Sequence, residues 1–250
     1  MSAPTQRIRI GKVDVDVLTF AEAIDAIEQL VRARKGGYVF TPNIDHVVRA
    51  DENEAFAEAY RGAALSLADG MPVVWASKLM PTQLPERVSG SDIFVPLLER
   101  AGKYGWRVAL LGAGPGVAEK VAGIARERWG VQVVLVDAPM LSLDDTATIE
   151  RLEKQIREAQ ADLVFFAFGS PKQELLIARM AKDLGPAVML GVGATFDFLA
   201  GNVKRAPMLL RRAGLEWAYR LAQEPRRLWR RYLVDDPKFA LIVARTLRRG

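Results

Sequence analysis

Short apolar segments alternate with helical segments along residues 1–203, and a glycine or a polar residue follows nearly every apolar segment. Continuously apolar segments of this length are typical of strands that are buried on both faces of a parallel sheet. The alternation therefore predicts an α/β fold, with a mostly parallel sheet and helices on both of its faces. The segments that we predict as strands of this sheet are residues 38–40, 64–67, 107–111, 131–136, 162–168 and 187–191.

The first predicted elements differ from this pattern. Residues 13–17 alternate valine with aspartate, which predicts a half-exposed edge strand or hairpin. Thr19 and Glu22 then have the spacing of a capping box, so a helix is expected to begin there. Ser142 is predicted to cap a later helix that extends to Gln160.

The chain changes character after residue 203, because no further strand segment follows and the charge becomes strongly positive. Residues 204–250 contain 13 Lys/Arg and four Asp/Glu, a net charge of +9, whereas residues 1–203 carry −4. Prolines open three predicted helices, residues 207–223, 225–234 and 237–249. We therefore divide the chain into a core, residues 1–203, and a basic helical appendage, residues 204–250.

Composition excludes several kinds of catalytic site. The chain has no cysteine, which excludes disulfides and thiolate chemistry, and a single histidine, His46, which argues against multi-histidine zinc sites. We expect His46 to have a structural role or to act through another residue. No apolar segment reaches the roughly 18 to 20 residues of a transmembrane helix and the N-terminus has no apolar signal segment, so a cytoplasmic location is expected.

Asp69 is the candidate catalytic residue. It follows the apolar segment at residues 64–67 and precedes Gly70-Met-Pro, which opens a helix. Ligands of open α/β sheets bind outside the carboxyl ends of the strands, and a carboxylate there can be partly desolvated and accept a proton. The alternative is that Asp69 caps the following helix and is chemically inert.

A glycine-rich segment, Gly112-Ala-Gly114-Pro-Gly116, follows another predicted strand and precedes a helix. Such a turn lets the backbone approach a diphosphate, and the helix N-terminus favours negative charge. As a dinucleotide-binding fingerprint the motif is incomplete, because Val117 replaces the third glycine, although Asp137 lies near the position of a ribose-binding acid. The motif predicts nucleotide binding; a tight turn without a ligand is the alternative.

Neutral polar side chains follow two other strands. Thr41 and Asn43 follow residues 38–40, and Gln173 follows residues 162–168. Their hydroxyl and amide groups suit the hydroxyl and amide groups of a sugar, so we interpret them as part of a carbohydrate-binding pocket. For Thr41 and Asn43 the alternative is helix capping.

Two charged motifs complete the candidate site. Arg87-Val-Ser-Gly-Ser-Asp92 is interpreted as an anion clamp on a flexible turn, with a structural ion pair as the alternative. Arg220, Arg227 and Arg230 share one helical face if the helix continues through residue 225. Their aromatic neighbours are Trp217, Tyr219, Trp229 and Tyr232. This basic, aromatic segment suits an anionic membrane surface or phosphate groups; a basic face exposed only to solvent is the alternative.

Six motifs, taken in order, resemble those of the WecG/TagA/CpsF glycosyltransferases, glycosyltransferase family 26. They are Thr41-Pro-Asn43, Ala68-Asp-Gly-Met-Pro72, Arg87-Val-Ser-Gly-Ser-Asp92, Phe168-Gly-Ser-Pro-Lys-Gln-Glu174, Gly191-Val-Gly-Ala-Thr-Phe-Asp197 and Gly214-Leu-Glu-Trp217. The resemblance implies a Rossmann-like core with a C-terminal membrane-targeting appendage. It also implies an inverting enzyme that moves a sugar from a UDP-sugar to a polyprenyl-diphosphate-linked acceptor on the inner membrane face, with no metal or other cofactor.

The resemblance assigns roles to individual residues. It implies that Asp69 is the general base, that Thr41, Asn43 and Gln173 contact the sugar, and that the three tail arginines fold over the site and meet diphosphate charge. The substrate-binding residues that we expect are Thr41, Asn43, Arg87, Asp92, Gly112, Gly114, Gly116, Gly169, Lys172, Gln173, Gly193, Arg220, Arg227 and Arg230.

Two other classes of protein stay open at this point. A nicotinamide-dependent oxidoreductase would use the glycine turn, but it gives Asp69 and the tail no role. A nucleic-acid-binding module would use the basic tail, but it gives the polar strand ends no role, and we expect no nucleic-acid partner. The sequence does not identify the UDP-sugar, the acceptor linkage, the pathway or any homo-oligomer.

Overall fold

Eight strands lie in the part of the chain that the computed structural model describes, which is residues 6–207, 209–210 and 214–248, with backbone only at 227, 228, 231 and 232. They are β1 (Arg7–Ile10), β2 (Val13–Asp16), β3 (Gly37–Phe40), β4 (Leu65–Ser66), β5 (Arg107–Gly112), β6 (Gln132–Asp137), β7 (Leu163–Ala167) and β8 (Val188–Gly191). The first two form an antiparallel hairpin, and the other six form one parallel sheet in the order β4-β3-β8-β7-β5-β6. The predicted α/β fold is confirmed.

Alternate residues of the central strands point into two separate cores, because successive side chains of a strand face opposite sides of the sheet. In β5, Ala109 and Leu111 join one core, whereas Val108 and Leu110 join the other. Both faces of the strand are therefore buried, which explains why these segments are continuously apolar in the sequence.

Helices cover both faces of the sheet, as predicted. One core lies under α1 (Phe20–Ala33), α5 (Gly90–Tyr104), α6 (Val117–Trp129) and α9 (Thr195–Ala200). The other lies under α2 (Ile44–Glu52), α3 (Glu54–Arg61), α4 (Met71–Ser77), α7 (Thr146–Glu158) and α8 (Lys172–Met180). The capping box of Thr19 and Glu22 is present at α1. The prediction for Ser142 is wrong, since Asp145 caps α7 by accepting a hydrogen bond from the Thr148 amide at 3.1 Å.

The hairpin is joined to the edge of the sheet through Asp16. The carboxylate of this residue accepts hydrogen bonds from Arg7 Nε at 2.9 Å and from the Ser66 amide at 2.7 Å, and its side chain is fully buried. The prediction of a half-exposed strand is wrong at this residue. An ion pair and a backbone amide together satisfy the carboxylate, so it can be buried.

The described part of the C-terminal segment includes α10 (Glu216–Gln223), α11 (Pro225–Arg230), a π-helical turn (Arg231–Asp235) and α12 (Lys238–Leu247). α10 ends at Glu224, so it is not continuous with α11. Arg220 and Arg230 therefore lie on separate helices. No helix in the described ranges is long and apolar enough to span a bilayer.

The last helix, α12, packs against α2 and β1. Its side chains Phe239, Ile242 and Val243 are buried in the core, and Thr246 Oγ1 accepts a hydrogen bond from the Gly11 amide at 2.9 Å. The division of the chain at residue 204 stays a prediction, and α12 contributes to the packing of the core.

Candidate active site

Polar residues and glycines collect along one edge of the sheet, because all six strands are parallel and their carboxyl ends meet there. Asp69 follows β4 at one end of this edge, and Asn43 follows the neighbouring β3. The segment Gly112–Gly116 follows β5, four strand positions from β4. With strands about 4.8 Å apart, Asp69 and this segment are separated by roughly 19 Å along the edge. We call the residues 112–116 the glycine turn.

A cavity of about 240 Å³ lies at the β4 end of the edge. We call it the charged cavity. Among the predicted site residues, Asn43, Asp69, Arg87 and Arg220 line it. The other residues that line it are Ile44, Gly70, Met71, Pro72, Ser89, Ser91, Phe198, Arg205, Gly214, Glu216, Trp217 and Asp236. The structure thus brings a strand-end carboxylate, an amide and arginines from distant segments to one space.

Asp69 is held at the strand end by its backbone, since its amide donates to the Pro42 carbonyl at 2.9 Å. Gly70 follows with φ +112°, a conformation that favours glycine, and turns the chain into α4. Gly70 is the N-cap residue of α4, and no side chain of the described residues forms the cap hydrogen bond. Asp69 is therefore not the N-cap residue of α4.

Burial is the largest cause that raises the pKa of Asp69, to about 7. The carboxylates of Glu216 and Asp92 raise this pKa further by repulsion, and the guanidinium groups of Arg87 and Arg205 oppose the shift. The residue as a whole is half-buried and lines the cavity. Because this pKa is near neutrality, Asp69 can accept and release a proton at physiological pH, as a general base must.

Four side chains of alternating charge form a ring beside Asp69, which we call the charge ring. Arg87 contacts Asp92 at 2.6 Å and Glu216 at 3.0 Å. Arg205 contacts the same two carboxylates, Asp92 at 2.8 Å and Glu216 at 3.7 Å. Each of the four side chains is between 16% and 23% exposed, so the ring is held partly out of water. Arg87 and Asp92 thus form an ion pair, as the alternative for this motif predicted, and Arg87 also faces the cavity.

Sequence reasoning missed Arg205 and Glu216. Arg205 is one of 13 cations in residues 204–250, and no local pattern distinguishes it from the others. Glu216 lies within the motif Gly214-Leu-Glu-Trp217 that carried the family resemblance, so that motif was a signal for it. Both residues reach the site only because the segment after α9 folds back over it.

The predicted sugar-binding residues divide between the cavity and its supporting structure. Asn43 lines the cavity and also caps α2, since its Oδ1 accepts from the His46 amide at 3.2 Å. Thr41 is buried next to Gly90, where an added Cβ would lie 3.3 Å from Thr41 Oγ1. Gln173 is buried, with its Oε1 accepting from the Gly193 amide at 3.1 Å and its Nε2 donating to Glu174 at 2.6 Å.

The glycine turn has the positive φ angles that a glycine-rich segment allows. Gly112 and Gly116 have φ of +97° and +75°, and Ala113 has φ +66°. A Cβ at Gly112 would lie 2.9 Å from the backbone of Ala167, so no side chain fits there. Gly116 begins α6 without a cap hydrogen bond from a described side chain, which leaves the N-terminus of that helix facing the turn.

The neighbouring strand ends carry the remaining predicted residues. Gly169 (φ +76°) and Gly193 (φ +54°) turn the chain after β7 and β8. Lys172 donates to the Leu141 carbonyl at 3.0 Å, and Asp137, at the end of β6, pairs with Arg151 at 2.7 Å. These residues lie along the same edge as the glycine turn and do not line the charged cavity.

The three tail arginines and the histidine have different surroundings. Arg220 lines the charged cavity, Arg230 is exposed on α11, and the side chain of Arg227 lies outside the described residues. His46 is buried, with Nδ1 2.6 Å from the hydroxyl of Tyr60, which agrees with a structural role.

Comparison with known families identifies the class of protein. Residues 8–250 match the model of the glycosyl transferase WecG/TagA/CpsF family, so the chain belongs to that family. It is therefore a glycosyltransferase of polysaccharide synthesis, and the family implies in general a sugar-nucleotide donor and a lipid-linked acceptor. The resemblance carried by the six sequence motifs is confirmed.

Proposed function

We propose that this protein is an inverting, metal-independent glycosyltransferase that moves a hexose from a UDP-sugar to a polyprenyl-diphosphate-linked acceptor. Asp69 is its general base. The observation that carries the proposal is the position of Asp69 at a strand end, inside a cavity with arginines, with its pKa raised to about 7. Family membership supports the transferase class, and the details are our inference from the site.

In the reaction that we propose, an acceptor hydroxyl attacks the anomeric carbon of the donor sugar. The new C–O bond forms as the bond to UDP breaks, and the hydroxyl proton moves to a carboxylate oxygen of Asp69. One displacement of this kind inverts the anomeric carbon. An alcohol is a poor nucleophile, so a base within hydrogen-bond reach accelerates the step by about 10² to 10⁴-fold.

The leaving UDP gains negative charge, which Arg87 and Arg205 of the charge ring are placed to stabilise. Both guanidinium groups are partly desolvated, which strengthens their attraction for a diphosphate. Glu216 bridges them in this structure. We propose that the diphosphate takes the place of the Glu216 carboxylate. The two arginines then stabilise the negative charge of the leaving group, as a divalent cation does in other transferases.

The donor extends along the carboxyl edge of the sheet in this proposal. Its nucleotide lies toward the glycine turn, where backbone can approach closely, and its sugar lies toward Asp69 and Asn43. Arg220, which lines the cavity from α10, meets diphosphate charge from the tail side. The roughly 19 Å between the two ends of the edge gives an extended ligand room to lie across the strands.

The basic tail binds an anionic membrane surface in this proposal, which makes the protein peripheral on the cytoplasmic face of the cell membrane. Trp217 and Trp229 are 39% and 51% exposed, and Arg230 is exposed beside Trp229. Exposed tryptophans with nearby cations are typical of segments that lie at a membrane surface.

The first test is ligand-induced thermal stabilisation of the full chain. UDP at saturating concentration is expected to raise the Tm, whereas NAD and a single-stranded oligonucleotide leave it unchanged. Stabilisation by NAD or the oligonucleotide, without stabilisation by UDP, would overturn the proposal in favour of an oxidoreductase or a nucleic-acid-binding module.

The second test is sugar transfer in the presence of EDTA. A panel of UDP-sugars is offered with an undecaprenyl-diphosphate-linked acceptor analogue, and the anomeric configuration of the product is determined by NMR. Transfer with inversion is expected. Retention of configuration, or complete loss of transfer in EDTA, would contradict the proposed mechanism.

A further inference from the structure

A second cavity, of about 800 Å³, lies apart from the candidate active site. It is bordered by β1 and the turn that follows it, by Asp51 of α2, by the turn that follows α4, and by the last helix α12. Its apolar lining comes from Ile8, Leu79, Met80, Pro81, Ile242 and Leu247. We call it the hairpin cavity.

Helix α4 connects the two cavities. Met71, at its first position, lines the charged cavity, and Leu79, in the turn after its last residue, lines the hairpin cavity. The turn continues the helical path, because the Leu79 amide donates to the Ala76 carbonyl at 3.1 Å. Seven residues at 1.5 Å per residue place the two ends of α4 about 10 Å apart.

An apolar stripe runs along the outer face of this helix. Met71, Trp75 and Leu79 are spaced by four residues, so they lie one above another on a single face. Trp75 is 46% exposed and Leu79 is 67% exposed. Large apolar side chains left in water along a continuous path usually mark a surface that another apolar group covers.

The tail borders this stripe at its start. Gly214 is packed so closely that a Cβ there would lie 2.8 Å from the ring of Trp75. Gly214 and Trp217 also line the charged cavity. The stripe therefore begins at the wall of the charged cavity, where Gly214 packs against both Met71 and Trp75, and it is exposed at Trp75 and Leu79.

The rim of the hairpin cavity consists of ion-paired side chains. Arg9, Lys12 and Arg245 line it, and their carboxylate partners are Asp14 at 3.8 Å, Glu54 at 2.8 Å and Asp51 at 2.7 Å. Side chains of this kind hold their charge at the water side while their methylene chains pack on apolar surface. An apolar interior with a charged rim at the water side suits a hydrocarbon chain, which packs on the apolar lining and leaves the ion pairs in water.

We infer that the stripe and the hairpin cavity bind the isoprenoid chain of the lipid-linked acceptor. This inference rests on the proposed function, in which the acceptor's saccharide lies beside Asp69 in the charged cavity. The chain attached to that head group must leave the cavity, and the stripe offers an apolar exit that ends in a second apolar space. An isoprenoid has no hydrogen-bonding groups, so it needs the apolar contacts that Trp75 and Leu79 supply.

Two acceptors test the inference. They carry the same diphosphate-linked saccharide, one on an undecaprenyl-length chain and one on a short, water-soluble prenyl chain, and transfer is measured in detergent. The unsubstituted protein is expected to have a KM about tenfold lower for the long-chain acceptor, because it gains apolar contacts along the stripe.

The test variant is Leu79→Gln and its matched control is Leu241→Gln. Both leucines are 67% exposed, but Leu241 lies on α12 and does not line the hairpin cavity. Leu79→Gln is expected to raise the KM for the long-chain acceptor about tenfold while leaving the short-chain KM, the UDP-sugar KM and the Tm unchanged. Leu241→Gln is expected to change none of these values.

The possible outcomes separate the inference from the proposed function. If the unsubstituted protein transfers sugar to both acceptors without regard to chain length, or if both variants respond alike, the inference is overturned and the proposed function stands. If no UDP-sugar supports transfer to either acceptor, the proposed function falls and the inference falls with it.

Discussion

The charged cavity draws its charged side chains from distant parts of the chain, whereas the glycine turn is one continuous segment. Helix α4 separates Asp69 from Arg87, and strands β5 to β8 with their helices separate Arg87 from Arg205 and Glu216. The glycine turn, residues 112–116, needs only its own backbone and the start of α6. The two regions lie on the same edge of one sheet.

The difference reflects what each region can do chemically. Proton transfer and charge stabilisation need side chains with tuned pKa values, and burial together with nearby charges supplies that tuning at Asp69. Close approach to a phosphate needs backbone amides and the absence of a Cβ, which a short glycine-rich segment supplies by itself. Substitutions in the two regions should therefore have different effects, on turnover at one end and on nucleotide affinity at the other.

The largest effect is expected for Asp69→Asn. The amide cannot accept the hydroxyl proton, so kcat for sugar transfer should fall by about 10³-fold. UDP affinity, measured by isothermal titration calorimetry, should stay within about threefold of the original value, because we propose that Asp69 contacts the acceptor hydroxyl and that UDP is held by other residues. Near-normal turnover would remove Asp69 from the mechanism.

The Tm of Asp69→Asn serves as the control for folding. The raised pKa of Asp69 gives the direction in which the Tm should change. The folded state binds more protons than the unfolded state between pH values of about 4 and about 7, so the ionised Asp69 destabilises the fold as pH rises through this window. Asparagine carries no such charge. The Tm of Asp69→Asn at pH 8 should equal or exceed that of the unsubstituted protein, and a lower Tm would attribute the lost activity to unfolding.

Arg205→Ala should lower kcat/KM by about 10²-fold, because it removes a cation that we place on the leaving diphosphate. Arg100→Ala is the matched control. Its side chain is 28% exposed, close to the 21% of Arg205, and it pairs with Asp25 at 2.6 Å outside the charged cavity. The kcat/KM values of both variants are obtained from initial rates at several UDP-sugar concentrations. An equal loss of kcat/KM in the two variants would mean that Arg205 has only a structural role.

The pH dependence of kcat/KM should follow the ionisation of Asp69. Activity is expected to fall about tenfold for each pH unit below about 7 and to reach a plateau above it, because only the carboxylate accepts a proton. Glu216→Gln should move the midpoint to lower pH, since Glu216 raises the pKa of Asp69. An unchanged midpoint in Glu216→Gln would contradict an electrostatic effect of Glu216 on the pKa of Asp69.

Gly114→Ala should weaken UDP binding by several-fold with little effect on kcat. Among the described residues, a Cβ there would meet only Val117 Cγ2 at 3.7 Å, which is an ordinary contact. The fold therefore tolerates it, while the ligand loses its close approach. Gly123→Ala in α6, where a Cβ has open space, is the control, and it should raise stability by about 0.5 to 1 kcal/mol without changing UDP affinity. Unchanged UDP affinity in Gly114→Ala would mean that the glycine turn does not bind the nucleotide.

The sequence predicted the sheet and most of the strand ends because that information is local. An apolar segment followed by glycine or a polar residue shows where a buried strand must end, as at Asp69 and Gly112. The capping box of Thr19 and Glu22 lies within four residues and was equally readable. At Asp16 the alternation of valine and aspartate gave a wrong prediction of exposure, because the Arg7 ion pair and the Ser66 amide allow that carboxylate to be buried.

Family membership was also readable from the sequence, since six short motifs in a fixed order carry it. The motifs contain Asn43, Asp69 and Arg87, and the tail arginines that the resemblance implies include Arg220; all four residues line the charged cavity. They did not select Arg205, because its partners Asp92 and Glu216 are set by how the segment after α9 returns over the sheet.

By itself, then, the sequence determined the parallel sheet, the edge at which polar groups gather and the family, because each of these depends on residues close together in the chain. The tertiary structure alone decided that Arg205 and Glu216 pair close enough to Asp69 for their charges to act on it, that the pKa of Asp69 is raised to about 7, and that α4 joins two cavities. Those properties depend on burial and on distances between segments far apart in sequence, and Coulomb interaction and desolvation respond to distance in space.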